Sequence, residues 1–335
     1  MRIFGFERYG GPEVAGFLDV PEPELRPGTV LVETVSVGLN PVDINVRSGA
    51  RQSGFPVEFP MAMGREAAGI VLASRRSPES EEFARRRLPS GAPVPPAIGE
   101  GTLVFGSCAA GVGALGERTL LEESSVATVM SGLAPDRAAC IPVAVGTAYD
   151  AIGELAPHPG EVVLVLGAGG GVGIHAGQFA AIAGARVIGV ASPEKREFVE
   201  HRGIEHVSSG PGWLGHVRDA LGDGGRGGGR IAAVVDCVGG ETLRGAADLL
   251  KRDEDGARRI RSLADKETAV ELGGSGVRRR RESGVFAAIA ALARQRDIKI
   301  SLSRVVDFAD TAAAYETVAG GHAAGKVVVR LQEER

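Results

Sequence analysis

Apolar and polar positions along this chain change rhythm more than once. Over the first 70 residues the apolar stretches are short and are broken by Gly and Pro. Residues 30–37 read as a strand that stops at Gly38, and residues 67–73 as another, so a β-rich lobe is expected. The rhythm is lost over 74–97. There Arg75, Arg76, Arg85, Arg86 and Arg87 mix with Pro78, Pro89, Pro93, Pro95 and Pro96, the composition of an exposed, poorly ordered excursion. Strand character resumes at 101–106 and continues over 116–129. From about residue 136 the repeat lengthens. A helix is expected over 136–155, interrupted at Pro142. The near-continuous apolar run 161–166 fits a parallel strand buried on both faces. A helix (172–183), a strand (186–191), a helix (194–201) and a strand (230–237), the last after the glycine-rich 222–229, follow. A helix over 285–296 precedes short strands, the last at 326–331.

Strands alternating with helices imply a doubly wound parallel sheet, so the fold class is α/β. A β lobe, an α/β unit and then short strands again imply that the chain closes back onto its first lobe. The expected division is 1–126 with 272–335 for the β-rich lobe and 127–271 for the α/β unit. The cleft between them is the default ligand site.

Bulk properties narrow the partners. The 335 residues suffice for two cores. A net charge of −4 and only 4% aromatic residues give no field or stacking platform for nucleic acid. No run of about 18 apolar residues points to a membrane span. The first ten residues carry Arg2, Glu7 and Arg8 and lack the apolar core of a signal peptide. Cys108, Cys140 and Cys237 are far apart with no CxxC spacing, which fits a reducing, cytoplasmic setting. The six histidines are scattered, so no metal site is expected from them.

The sharpest local signal is Gly167-Ala168-Gly169-Gly170-Gly171-Val172-Gly173, which follows a buried strand and opens a helix. Ala168, Gly170 and Gly173 fit a dinucleotide fingerprint with Ala in the first place. Small residues there allow a tight turn, close approach of the backbone to a pyrophosphate, and close helix–strand packing. Helix-start amides then face the phosphates. The next strand ends Ala191-Ser192-Pro193 with no acid at its tip, whereas an NAD site usually carries Asp or Glu there. Ser192, Lys195 and Arg196 are placed to bond a 2′-phosphate, so NADPH is expected over NADH. Glu194 and Glu197 stand close by and oppose that reading.

Six segments then carry a resemblance: Gly38-Leu39-Asn40-Pro41-Val42-Asp43-Ile44-Asn45, Gly64-Arg65-Glu66-Ala67-Ala68-Gly69, Pro142-Val143-Ala144-Val145-Gly146-Thr147-Ala148-Tyr149-Asp150, the glycine turn, Val235-Asp236-Cys237-Val238-Gly239-Gly240, and Gly325-Lys326-Val327-Val328. In order and spacing the chain resembles the quinone oxidoreductase (zeta-crystallin-like) branch of the medium-chain dehydrogenase/reductase superfamily. The resemblance implies a GroES-like catalytic domain, split between the chain ends, around a Rossmann domain. It implies Asn40 and Asp43 near the nicotinamide end of the cleft, and Thr147, Gly171, Val172, Gly239 and Lys326 at the cofactor. It also implies Lys195 on the 2′-phosphate. The zinc members of the superfamily hold their metal with Cys, His and Cys. The matching places here read Asn40, Arg65 and Val143, so a zinc-independent enzyme is implied. Where related reductases often place tyrosines, this chain has Asn45 and Arg51, and near a tyrosine that backs the 2′-phosphate it has Gly210.

Hydride transfer to a quinone or activated C=C acceptor is therefore expected. Asn40 is a hydrogen-bond donor to the developing oxyanion, Arg51 a stabilising charge, and the partner is a small molecule. Alternatives are an enoyl reductase of fatty-acid or natural-product biosynthesis, and a noncatalytic dinucleotide-binding sensor or structural protein of the same fold. The resemblance also carries a homodimer through the Rossmann sheet edge. The Arg278–Arg281 run reads as a solvated stretch.

Overall fold

The computed structural model describes residues 1–86, 98–222, 230–250 and 259–332. Two sheets dominate it. The parallel one has the strand order Glu205–Ser208, Arg186–Ala191, Val162–Leu166, Ile231–Asp236, Ile260–Ser262, Ser275–Gly276. Its order reverses beside Val162–Leu166, and a crevice at the carboxyl ends of the strands there is where open α/β sheets bind ligands. Val162–Leu166 is buried throughout because its alternate residues feed two cores. Val163 and Val165 pack with Ile174 and Phe179 on one face. Val162, Leu164 and Leu166 pack with Val217, Leu243 and Ala246 on the other.

The second sheet is built around the long strand Thr29–Gly38. This strand pairs antiparallel with Glu66–Arg75, Arg118–Glu122 and Lys326–Arg330. The register Val329↔Val37 brings the last strand of the chain onto the first lobe, as the expected closure requires. Arg2–Phe6, Ala15–Asp19 and Met61–Ala62 form a smaller sheet against this lobe. The architecture is a GroES-like domain with a Rossmann domain. No helix among the described residues is long and apolar enough to cross a membrane.

Several expectations shift. The edges at 127 and 272 move, because Ala127–Thr128 pairs with Leu103–Ser107 in the GroES-like sheet and Ser275–Gly276 adds to the Rossmann sheet. Part of the 74–97 excursion is a helix, Pro78–Arg85. Ser77 Oγ accepts from Ser80 N–H at 3.1 Å, and Pro78 begins the first turn, where its missing N–H costs nothing. Residues 87–97 and 223–229 lie outside the described residues. The helix expected over 136–155 is three pieces: Pro135–Ala138, a π-helical turn Ile141–Val145, and Gly146–Leu155.

Candidate active site

The glycine turn is shaped by close approaches. The N–H groups of Gly167 and Ala168 both donate to Val190 O at 3.0 Å. A Cβ on Gly173 would lie 2.3 Å from Gly167 O, so only glycine lets the helix Gly173–Ile182 start this close to the strand. The N–H groups of Val172 and Gly173 have no partner among the described residues and stay open for a ligand's phosphate. Gly325 N–H donates to Gly169 O at 3.1 Å, tying the turn to the other domain. Ala168 does not face the cleft: its methyl fills the space beside Gly189, where an added Cβ would approach it to 2.6 Å.

The turn forms one wall of a cleft of about 910 Å³ between the domains. At one end are Ser192, Ser209, Gly210 and Trp213, beside Lys195. The buried Lys195 stem crosses Gly169, and its Nζ donates to Gly321 O (3.0 Å) and Ala323 O (2.9 Å) of the GroES-like side. Burial holds its ammonium below the usual lysine pKa. Arg196 is not at the cleft. Its guanidinium pairs with Glu200 one helical turn on, at 3.3 Å, so the expected phosphate selector reduces to Ser192 and Lys195. Gly239 is also set back. Its φ of 83° and its N–H bond to Asp236 Oδ1 (2.9 Å) shape the turn, and Val238 faces the cleft instead.

The opposite end is organised by a buried polar cluster. Asn40 caps the helix Pro41–Arg47 and lines the cleft. Its Nδ2 donates to Gly38 O (3.1 Å) and Glu66 Oε1 (2.8 Å), and its Oδ1 accepts from Lys326 Nζ (2.6 Å). Lys326 Nζ donates also to Leu39 O (2.5 Å) and Glu66 Oε1 (3.0 Å), and Glu66 Oε2 accepts from Val143 N–H (2.6 Å). Every donor of Asn40 and Lys326 is thus engaged. The expectation that Asn40 donates to an incoming oxyanion is corrected accordingly: its amide holds this cluster in shape. Asp43 is not at the cleft either. It closes a capping box, accepting Asn40 N–H at 2.9 Å, and it accepts from Tyr315 Oη at 3.1 Å. Thr147 lines the cleft, but its hydroxyl donates to Val143 O and accepts from Arg279 Nη1. Arg51 lines the cleft with an exposed side chain.

These residues do not fit a zinc ion at the superfamily's ligand places. Asn40 Oδ1 is taken by an ammonium, Val143 contributes only its backbone, and Arg65 donates through Nη1 to Val112 O at 2.7 Å while stacking over Phe55.

Sequence reasoning left several residues without a role. Glu66, fully buried, is the hub of the polar cluster. The only tryptophan, Trp213, faces the cleft, as does Lys266. Of the run 278–281, read as solvated, Arg278, Arg280 and Arg281 are exposed, and Arg279 folds inward. Arg279 Nε and Arg280 Nε donate to the two oxygens of buried Asp150 at 3.0 and 2.9 Å, and Arg279 and Arg281 line the cleft. Asp150 and Glu154, two acids one turn apart on the helix Gly146–Leu155, were the available signal; Glu154 accepts Arg278 N–H at 2.7 Å.

Known proteins agree with this architecture. Residues 26–131 match the alcohol dehydrogenase GroES-like domain, and two zinc-binding dehydrogenase families match 171–258 and 217–329. The mitochondrial NAD(P)H oxidoreductase RTN4IP1 of Danio rerio is 27% identical over 385 residues, covering 100% of this chain and 92% of the relative. Erythronolide synthase EryA2 of Saccharopolyspora erythraea is 32% identical over 240 residues. That stretch is 70% of this chain but only 6% of the synthase. The quinone oxidoreductase of Coxiella burnetii superposes with a TM-score of 0.80 at 23% identity, over 99% of both chains. The chain belongs to the medium-chain dehydrogenase/reductase superfamily. Its relatives and structural neighbours include an NAD(P)H oxidoreductase and a quinone oxidoreductase.

Proposed function

We propose that the protein uses NADPH to reduce an electron-poor C=C bond or a quinone without a catalytic zinc. One observation carries this reading. A single cleft joins a glycine turn with open amides to an end where the metal-ligand places are Asn40, Arg65 and Val143, with Asn40 and Val143 N–H tied into a cluster with Lys326 and Glu66. The nicotinamide, when bound, supplies hydride. The residues suited to hold the dinucleotide are Gly170, Gly171, Val172 and Gly173 at the pyrophosphate and Ser192 with Lys195 at the 2′-phosphate. A conjugated acceptor that gains hydride at carbon moves its charge onto oxygen, as an enolate or hydroquinone anion. That oxygen needs hydrogen-bond donors rather than a metal. Arg51 is the donor assigned here, and a proton from water completes the addition of two hydrogens. A second reading is the same chemistry on an enoyl substrate of a biosynthetic pathway, which the likeness to EryA2 favours.

Trp213 makes the test direct, because a nucleotide entering the cleft changes the fluorescence of the chain's only tryptophan. NADPH is expected to bind more tightly than NADH. A charge-assisted hydrogen bond is worth roughly 1.5–3 kcal/mol. Lys195 must leave two carbonyls to make one, so Lys195→Met is expected to weaken NADPH about tenfold, the low end of that range, and NADH little. Equal affinity for the two nucleotides, unaltered in the variant, would remove the NADPH assignment. No binding of either would remove the reductase reading.

A further inference from the structure

The chain carries a net charge of −4, yet the cleft concentrates the opposite sign. Arg51, Lys195, Lys266, Arg279, Arg281 and Lys326 line it, and among the described residues no Asp or Glu does. Four of these cations have work already. Lys326 is neutralised by Glu66, and Arg279 by Asp150. Lys195 stands at the Ser192 end. Lys266 opens the helix that follows the Rossmann strand Ile260–Ser262, with its stem against Gly276, on the nucleotide side.

Two remain, and Arg51 is already assigned to the developing oxyanion, which leaves Arg281. Neither makes a hydrogen bond or ion pair with another described side chain. Arg281 follows Arg279, whose fork reaches Pro142 O at 3.0 Å and Val143 O at 3.2 Å, the residues beside the Asn40–Glu66 cluster. Arg281 therefore sits at the catalytic end of the cleft, not at the Ser192 end. Its side chain is solvent-exposed on the cleft wall, in the field of Arg279 and Arg65, and no carboxylate among the described residues pairs with it. An unpaired guanidinium lining a cleft of one sign of charge draws an anion there. Its planar fork matches carboxylate or phosphate oxygens two at a time.

We propose that the acceptor carries its own anionic group, a carboxylate or a phosphate, and that Arg281 binds it. The inference rests on the reductase reading, and it narrows the substrate class to anionic enones or quinones. Arg281 is then a specificity determinant. It selects the acceptor and leaves the dinucleotide's phosphates to the glycine turn.

The test compares an acid with its own ester. trans-3-Benzoylacrylate and its methyl ester share one skeleton and one C=C bond, the ester's being intrinsically the more electron-poor, so a preference for the acid runs against reactivity; Phe55 and Val143 offer an apolar wall for the ring. NADPH oxidation is followed for both with the wild type, Arg281→Leu and Arg281→Lys. The saturated, unreactive 3-benzoylpropionate and its methyl ester are titrated calorimetrically into the protein held with NADPH, so that binding is read without turnover. In the wild type, kcat/KM for the acid should exceed that for the ester by about tenfold or more, a preference that shrinks as salt is raised. In Arg281→Leu the ratio should fall to about one or below, with Arg281→Lys between, since it keeps the charge and loses the fork. The Kd for NADPH read at Trp213 should stay the same.

Equal use of acid and ester by the wild type overturns the inference and leaves the reductase reading standing. So does an equal loss of both in Arg281→Leu. Weakened NADPH binding in that variant would assign the arginine to the cofactor and overturn it too. Turnover of neither compound, with 3-benzoylpropionate bound by the wild type and not by Arg281→Leu, keeps the anion site and rejects the reductase reading. Neither turnover nor acid-selective binding rejects both.

Discussion

Asp43 gives a prediction whose sign and size follow from its surroundings. Its Oδ2 accepts from Asn40 N–H and Tyr315 Oη, while Oδ1, fully buried, has no partner. An ionised carboxylate with one bare oxygen in an apolar setting is the costlier form. Burial, helped by the charge of Glu66 and opposed by the Asn40 N–H and Lys326, pushes this carboxyl from the usual 3.8 up to about 7. The folded state therefore holds a proton that the unfolded chain has released, over a window from about pH 4 to pH 7. The contribution of this group to stability is fully present below that window and is lost as pH rises through it. Each pH unit is worth at most about 1.4 kcal/mol, so the loss over the window reaches about 4 kcal/mol at the ceiling. Asp43→Asn removes the titration while its side-chain oxygen can still accept the Asn40 N–H. Urea unfolding of both proteins across the window, compared at each pH, cancels every other titrating group. The Asn variant should gain on the wild type by about 2–4 kcal/mol from the acid to the neutral end. A constant difference across the window would refute the reasoning, because Asp43 would then be ionised in the fold at every pH tested.

Two further outcomes are expected. Lys326→Met leaves Glu66 ionised and buried without its ammonium, so urea unfolding should show a loss of about 3–5 kcal/mol, part of it restored in the double variant with Glu66→Gln; a loss below about 1 kcal/mol would mean that the pair is not structural. Gly173→Ala puts a methyl 2.3 Å from Gly167 O and should weaken NADPH, read at Trp213, by more than about tenfold, whereas Gly284→Ala, with no atom near its added Cβ, should not; unchanged affinity in Gly173→Ala would show that the turn is not the phosphate site.

Much of this architecture was legible because it depends on neighbours in sequence. The glycine turn declares itself by a local steric need, and Gly173 meets that need against Gly167, six residues away. The strand Val162–Leu166 is legible as buried on both faces because no polar side chain interrupts it. The misplaced residues failed for equally local reasons that the motifs overrode. Asp43 stands three residues after Asn40, the spacing at which a side chain turns back to cap its own helix rather than reach a neighbouring cleft. Arg196 has Glu200 one turn on, which draws its guanidinium along the helix. The domain edges were off because two-residue strands such as Ala127–Thr128 and Ser275–Gly276 carry no periodicity to read.

Charge is where reading along the chain stops for a deeper reason. A run of four arginines at 278–281 is, on its own, a solvated stretch, and a net charge of −4 argues against any basic surface. Both inferences average over sequence, whereas a field depends on position. Asp150 lies some 130 residues before the run and draws Arg279 and Arg280 onto a single buried carboxylate. That contact turns Arg279 inward and leaves Arg281 on the cleft wall. The acids that set the net charge are elsewhere: among the described residues none reaches the cleft, so its field adds rather than cancels. A cation presented this way is paired only when a ligand brings the missing charge. The selectivity of the site then follows from a residue that neither the glycine turn nor the Asn40 segment would single out.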